Sequence, residues 1–141
     1  MASILKVDEL QGIATAGAIT VTSEGGAATQ SLQQGLAKCW ANNKLQTTAE
    51  TLDSFNQSSF SDDGTGVLTM SFSNAFSNDD YAPSGMSRSA SSGTAYASSV
   101  QIHADLKSTT QLKVQFAYAN AGSNAFYDIP QSGVILHGDL A

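Results

Sequence analysis

Apolar and polar residues alternate most regularly in the second half of the chain. Tyr96, Val100, Ile102, Ala104 and Leu106 share one parity, while Ser99, Gln101, His103 and Asp105 take the other. Leu112, Val114, Phe116 and Tyr118 alternate in the same way with Lys113, Gln115 and Ala117. In an extended chain successive side chains point to opposite faces, so both segments predict half-buried antiparallel strands. Val134-Ile135-Leu136-His137 predicts a closing strand. Earlier in the chain, Phe60 and the alternating Leu68, Met70 and Phe72 flank Ser61-Asp62-Asp63-Gly64-Thr65-Gly66, a polar turn that contains glycine. That pattern predicts a hairpin. Residues 74–94, with Asn, Asp, Ser and Gly around Tyr81, Pro83 and Met86, read as mostly loop, as does the Asn- and Gly-rich stretch before Val134. With no long amphipathic helix between these segments, the expected fold is all-β, an antiparallel β-sandwich or jelly roll.

Residues 1–34 have a different texture, poor in large apolar groups and rich in Ala, Gly, Thr and Gln. Ile4, Val7, Leu10 and Ile13 recur every third residue, while Leu5 and Val7 alternate as in a strand. Neither run is long enough to choose between a strand and a turn or two of helix. Ala18-Ile19-Thr20-Val21-Thr22 is a cleaner strand, ended by the turn cluster Ser23-Glu24-Gly25-Gly26. So few large side chains are a poor basis for a core. The segment is expected to be an extended attachment arm that anchors through Ile4, Val7, Leu10 and Ile13, with an N-terminal hairpin of the same domain as the alternative. Residues 35–141 then form the β-sandwich domain.

Composition narrows the function. The chain has 141 residues, enough for one domain with an arm, and only 13% are charged, about half the usual ~25%. Its net charge is −6, and its six basic residues are scattered from Lys6 to Lys113. That argues against nucleic acid, because phosphate affinity rests on clustered cations. The single cysteine, Cys39, forms no intrachain disulfide and is expected to be a small buried apolar residue. No apolar window reaches the roughly 18 residues of a membrane span, so no membrane insertion is expected. The opening MASILKVDELQG lacks the basic start and apolar stretch of a secretory signal. A neutral polar surface without an export signal suits a virion component, made in the host cytoplasm and released by lysis.

Chemistry-bearing patterns are few. No phosphate loop, H-E-x-x-H or G-x-S-x-G motif is present. Neither His103 nor His137 has local support as a partner for Cys39, so no catalytic residue, metal or cofactor is expected. Asp62-Asp63-Gly64-Thr65-Gly66 is the one acidic turn, but it lacks the spaced ligand ladder and distal Glu of a calcium loop. It reads as a hairpin turn whose carboxylates bond local backbone amides. Trp40, the single tryptophan, stands among Ala37, Cys39 and Ala41 and is expected to be largely buried, in the core or at a subunit contact. Phe126 and Tyr127 fall in an Asn/Gly/Ser loop. They are the candidate binding residues, since such loops make adaptable contacts and aromatic faces suit sugar rings.

Two segments carry a family resemblance. The opening Ala2-Ser3-Ile4-Leu5-Lys6-Val7-Asp8-Glu9-Leu10-Gln11-Gly12 resembles the N-terminus of tail-fibre-like virion proteins of marine bacteriophages. Gly35-Leu36-Ala37-Lys38-Cys39-Trp40, then Asp53-Ser54-Phe55-Asn56, Ser61-Asp62-Asp63-Gly64-Thr65-Gly66 and Asp80-Tyr81, resembles a β module of the same proteins. The resemblance implies a non-enzymatic virion protein, a homo-oligomer and most simply a homotrimer. It would join other tail or capsid proteins and contribute to host attachment, with a surface receptor such as a glycan among its partners. No long fibrous shaft lies between arm and module, which points to a short tail fibre or spike, a tip protein or a fibre on the head. A capsid decoration protein that stabilises the shell is the alternative.

Overall fold

The computed structural model describes residues 5–13, 15, 18–23, 25–88, 97–120 and 123–141, without the side chains of 97, 98, 105, 120, 123 and 124. The chain divides into two compact units, Met1–Leu36 and Ala37–Ala141. In the first unit, β1 (Thr20–Thr22) pairs antiparallel with β2 (Thr29–Ser31), which leads into the single-turn helix α1 (Leu32–Gly35). The strand and turn expected from residue 18 onward are both present, the turn closed by a hydrogen bond from Gly26 N to Ser23 O at 2.8 Å. Ser31 caps α1 by accepting from Gln34 N. Residues 5–13 are neither helix nor strand, and no described residue of this unit is buried. Leu5, Val7, Leu10 and Ile13 are exposed, whereas Ile4 lies outside the described residues.

The second unit is an all-β sandwich. One sheet holds β4 (Glu50–Phe55), β3 (Cys39–Lys44), β11 (Ser132–His137) and β7 (Ala82–Ser87), in that order and all antiparallel. The other contains β5 (Gln57–Gly64), β6 (Val67–Phe72), β8 (Ala97–Lys107), β9 (Gln111–Asn120) and β10 (Ser123–Phe126). There β9 is central. It pairs with β8 along one edge, and along the other with β6 through Gln111–Gln115 and then with β10 from Ala117 onward.

Alternation dictates the interior. Cys39, Ala41, Val134 and Leu136 of the four-stranded sheet join Leu68, Met70, Phe72, Leu112, Val114 and Phe116 of the five-stranded sheet in one buried cluster. Small residues on β3 thus face large ones on β6 and β9, which keeps the layer close-packed. Within it, the fully buried Asn43 has its amide satisfied. Asn43 Nδ2 donates to Gln57 Oε1 at 3.0 Å, and Asn43 Oδ1 accepts from Thr51 Oγ1 at 2.9 Å and Gln57 Nε2 at 3.2 Å. A buried amide is tolerated only when it is paired in this way.

Two turns set the geometry. The chain passes from β4 in one sheet to β5 in the other through Asn56, whose φ is 60°. Asn56 Nδ2 donates to Lys38 O and Asn74 O, while Asn56 Oδ1 accepts from Asn74 N at 2.7 Å. The side chain thereby fastens the corner it creates, a role suited to asparagine because it tolerates left-handed backbone and bonds locally. The predicted β5–β6 hairpin is present, and its turn needs Gly66. At φ 69° a Cβ there would lie 2.6 Å from Phe116 O and 2.8 Å from Tyr127 N.

The structure corrects several sequence expectations. Residues 82–87, read as loop, form the edge strand β7. Edge positions accept Pro83, and the inward Gly85 lets the strand lie against Gly133 O and Val134. The strand expected over 96–106 exists as β8, but its register shifts between Ile102 and Lys107, and of the residues expected to face inward Ile102 and Ala104 are exposed while Val100 and Leu106 are half-buried; Tyr96 lies outside the described residues. Part of the stretch before Val134, also read as loop, forms β10. The strand expected at Val134 is present as β11, the last in chain order, and it lies in the interior of its sheet.

Candidate functional site

Trp40 is not buried in the core: 36% of it is exposed. Its neighbours Cys39 and Ala41 take the inward positions of β3, and the facing strands already fill the space beyond them with Met70, Phe72 and Phe116. The indole is therefore displaced to the outer face of the four-stranded sheet. Register places Phe55, Trp40, Ile135 and Ser84 in one cross-strand row there, and Asp53, Asn42, Gly133 and Met86 in the next. Phe55, Trp40, Ile135 and Met86 are all exposed. Contiguous outward apolar side chains rimmed by polar ones mark a contact surface.

Gly133 makes this face concave. It sits in the interior strand with its open side outward, and a Cβ added there meets nothing within 4 Å. Trp40, Asn42, Met86, Arg88, Gln131 and Ile135 stand around it and enclose an open basin of about 530 Å³. Arg88 is held at the rim by a backbone bond from Arg88 N to Gln131 O at 2.8 Å. The Lys44–Glu50 ion pair, at 2.9 Å, lies on the same sheet and is self-neutralising. Asn42 Oδ1, although shut away from solvent, has no hydrogen-bond partner. An unmet buried acceptor is uncommon in a folded domain.

No protein-family model, curated protein or solved structure matches this chain.

The sequence-derived candidates lie elsewhere. Phe126 ends β10 and pairs with Ala117, which puts it on the outer face of the opposite sheet, where it is exposed. Tyr127 turns inward, packs against the core and meets the Tyr118 ring edge-on at 5.5 Å. The two residues adjoin in sequence but do not form one surface. Asp62 bonds a local backbone amide, as the turn pattern implied, its Oδ1 accepting from Gly64 N; Asp63 instead accepts from side-chain hydroxyls, Ser61 Oγ at 2.7 Å and Thr69 Oγ1 at 2.6 Å. These hydroxyls, the Thr69 one foremost, together with Lys113 hold the Asp63 carboxyl below its ordinary range. Among the described residues no group of three or more His, Cys, Asp or Glu assembles to hold a metal. Cys39 is fully buried as expected, and burial pushes its thiol up to about 11, so it stays protonated at neutral pH. Tyr81, part of an aromatic cluster with Phe72 and Phe76, has its hydroxyl within 3.2 Å of the Ser108 and Gln111 carbonyls.

The basin escaped the sequence reading for a stated reason. Val134-Ile135-Leu136 is apolar throughout, so parity cannot tell which residue points out. The usable signal was Gly133 beside that run, since an interior glycine in a strand pattern marks a close approach or a hollow.

Proposed function

We propose that the chain is a non-enzymatic structural and binding protein, a short fibre or spike subunit of a bacteriophage particle. The observation that carries this reading is the opposite state of its two units. The first leaves Leu5, Val7, Leu10 and Ile13 exposed, with no buried residue among those described, as expected of a segment whose apolar residues are covered by another protein. The second closes a complete core and carries its contact residues outward. Its chemically reactive groups serve the fold: Cys39 is packed inside, and Asp63 and Asp128 accept hydrogen bonds that tie down the β5–β6 turn. A homotrimer fits such a chain, because closed oligomers bury apolar surface that a monomer leaves open.

The test is particle incorporation. An antibody against the full chain should label purified phage particles at a tail or head fibre. Deleting residues 1–34 should leave the sandwich folded and remove the label. Particles free of the protein would overturn the reading, and a copy number matching the capsomers would assign it instead to shell decoration.

A further inference from the structure

We infer that the basin over Gly133 binds the ring of a neutral sugar. This deepens the reading of the sandwich as an outward-facing binding module, and it rests on the geometry of one sheet face.

At about 530 Å³ the hollow falls in the range of small-ligand sites, roughly 300–1,000 Å³. Flat packing of a second copy on this face would leave that volume void, which close-packed interfaces avoid. The walls have the two-sided chemistry of a pyranose. Trp40 offers an indole face, and Ile135 and Met86 offer apolar flanks for ring C–H groups. Asn42, Gln131 and Arg88 offer amide and guanidinium groups for hydroxyls.

Charge and hydrogen bonding narrow the class further. Among the described residues Arg88 is the only charged one lining the basin, so a cation is disfavoured. Asn42 Oδ1 is an acceptor without a donor and is shut away from solvent, so only a ligand that turns the amide toward the basin can satisfy it; an anion offers no donor to do so, and an aliphatic group leaves it unmet. A hydroxyl donates to such an oxygen and accepts from Arg88 or Gln131 with the same atom. The terminal torsion of asparagine is broad, so a bound hydroxyl can draw that amide round toward the basin.

Because Trp40 is the single tryptophan, its emission reports directly on occupancy. The full chain is titrated with glucose, galactose, mannose, N-acetylglucosamine and their disaccharides. At least one should give a saturable change in the millimolar range or tighter. Gly133→Val directs its branch into open space, so it should keep the melting temperature and weaken that binding about tenfold or more. Trp40→Ala should abolish it by calorimetry. No saturable response from any sugar overturns the inference, as does equal binding by Gly133→Val. A blue shift that instead tracks protein concentration and self-association would assign the face to a second copy and overturn the sugar. The outcome is separable from that of the function reading: Gly133→Val should still enter particles, and a chain that binds sugar yet is absent from particles would keep the site and lose the fibre.

Discussion

The two sheets of the sandwich share an interior and differ on their outer faces. Outside the five-stranded sheet, polar side chains satisfy one another in rows. Gln115 Nε2 donates to Gln101 Oε1 at 2.9 Å, Gln111 Nε2 to Ser71 Oγ at 3.1 Å, and Asp63 gathers Ser61, Thr69 and Lys113. Outside the four-stranded sheet, Phe55, Trp40, Ile135 and Met86 stand exposed around a glycine hollow. Folding needs one apolar face per sheet, and both sheets already supply it inside. The second apolar face is therefore surplus to folding, and contact with another molecule is what such a surface serves.

That contrast is broken most severely from within. Phe116 is fully buried at the centre of the shared core, and Phe116→Ala should cost about 3–5 kcal/mol and destabilise both faces together in a urea melt. Alkali acts on the same interior. Cys39 rises from 9.0 to about 11 on folding, so its contribution is complete below pH 9 and lost as pH climbs to 11. Over that span wild type should lose about 2–3 kcal/mol more than Cys39→Ala. On the outer faces the effects shrink. Trp40→Ala should cost about 1–2 kcal/mol, well short of Phe116, because part of the ring is already in water. Asp63→Asn should cost less, at most about 1 kcal/mol at neutral pH. The Asp63 carboxyl is lowered in the fold, so its contribution is present above about pH 4 and lost as pH falls through the folded value. Acid titration of the melting temperature should accordingly be flatter in Asp63→Asn. Equal losses for Trp40→Ala and Phe116→Ala would erase the distinction between inside and outside.

Legibility in the sequence followed local pattern strength. Leu112 to Tyr118 alternates cleanly because β9 is flanked on both edges and buries Leu112, Val114 and Phe116 on one face. The β5–β6 turn was readable from Asp-Asp-Gly-Thr-Gly, since turn chemistry is local. β7 was not, because Pro83 and Gly85 break strand propensity and only tertiary contacts with β11 make the segment a strand. The core placement of Trp40, one of the two expected for it, fails through size. A large ring among small neighbours suggests core, whereas the small neighbours were themselves the core side of the strand. The sugar basin assembles from β3, β7 and β11, far apart in the chain, and no window on the sequence brings them together.

The position of β11 bears on how the molecule is made. It is the last strand in chain order, yet it lies between β3 and β7. As the chain leaves the ribosome, the β5–β6 and β8–β9 hairpins can close early, since each joins neighbours in sequence. The other sheet must wait. Until β11 emerges, β3 keeps one edge open and β7 has no strand partner among the described residues. A half-made molecule therefore carries one nearly finished sheet and one unpaired apolar edge. That is the interval in which strands from neighbouring nascent chains can pair with it, and completion of the final strand ends it.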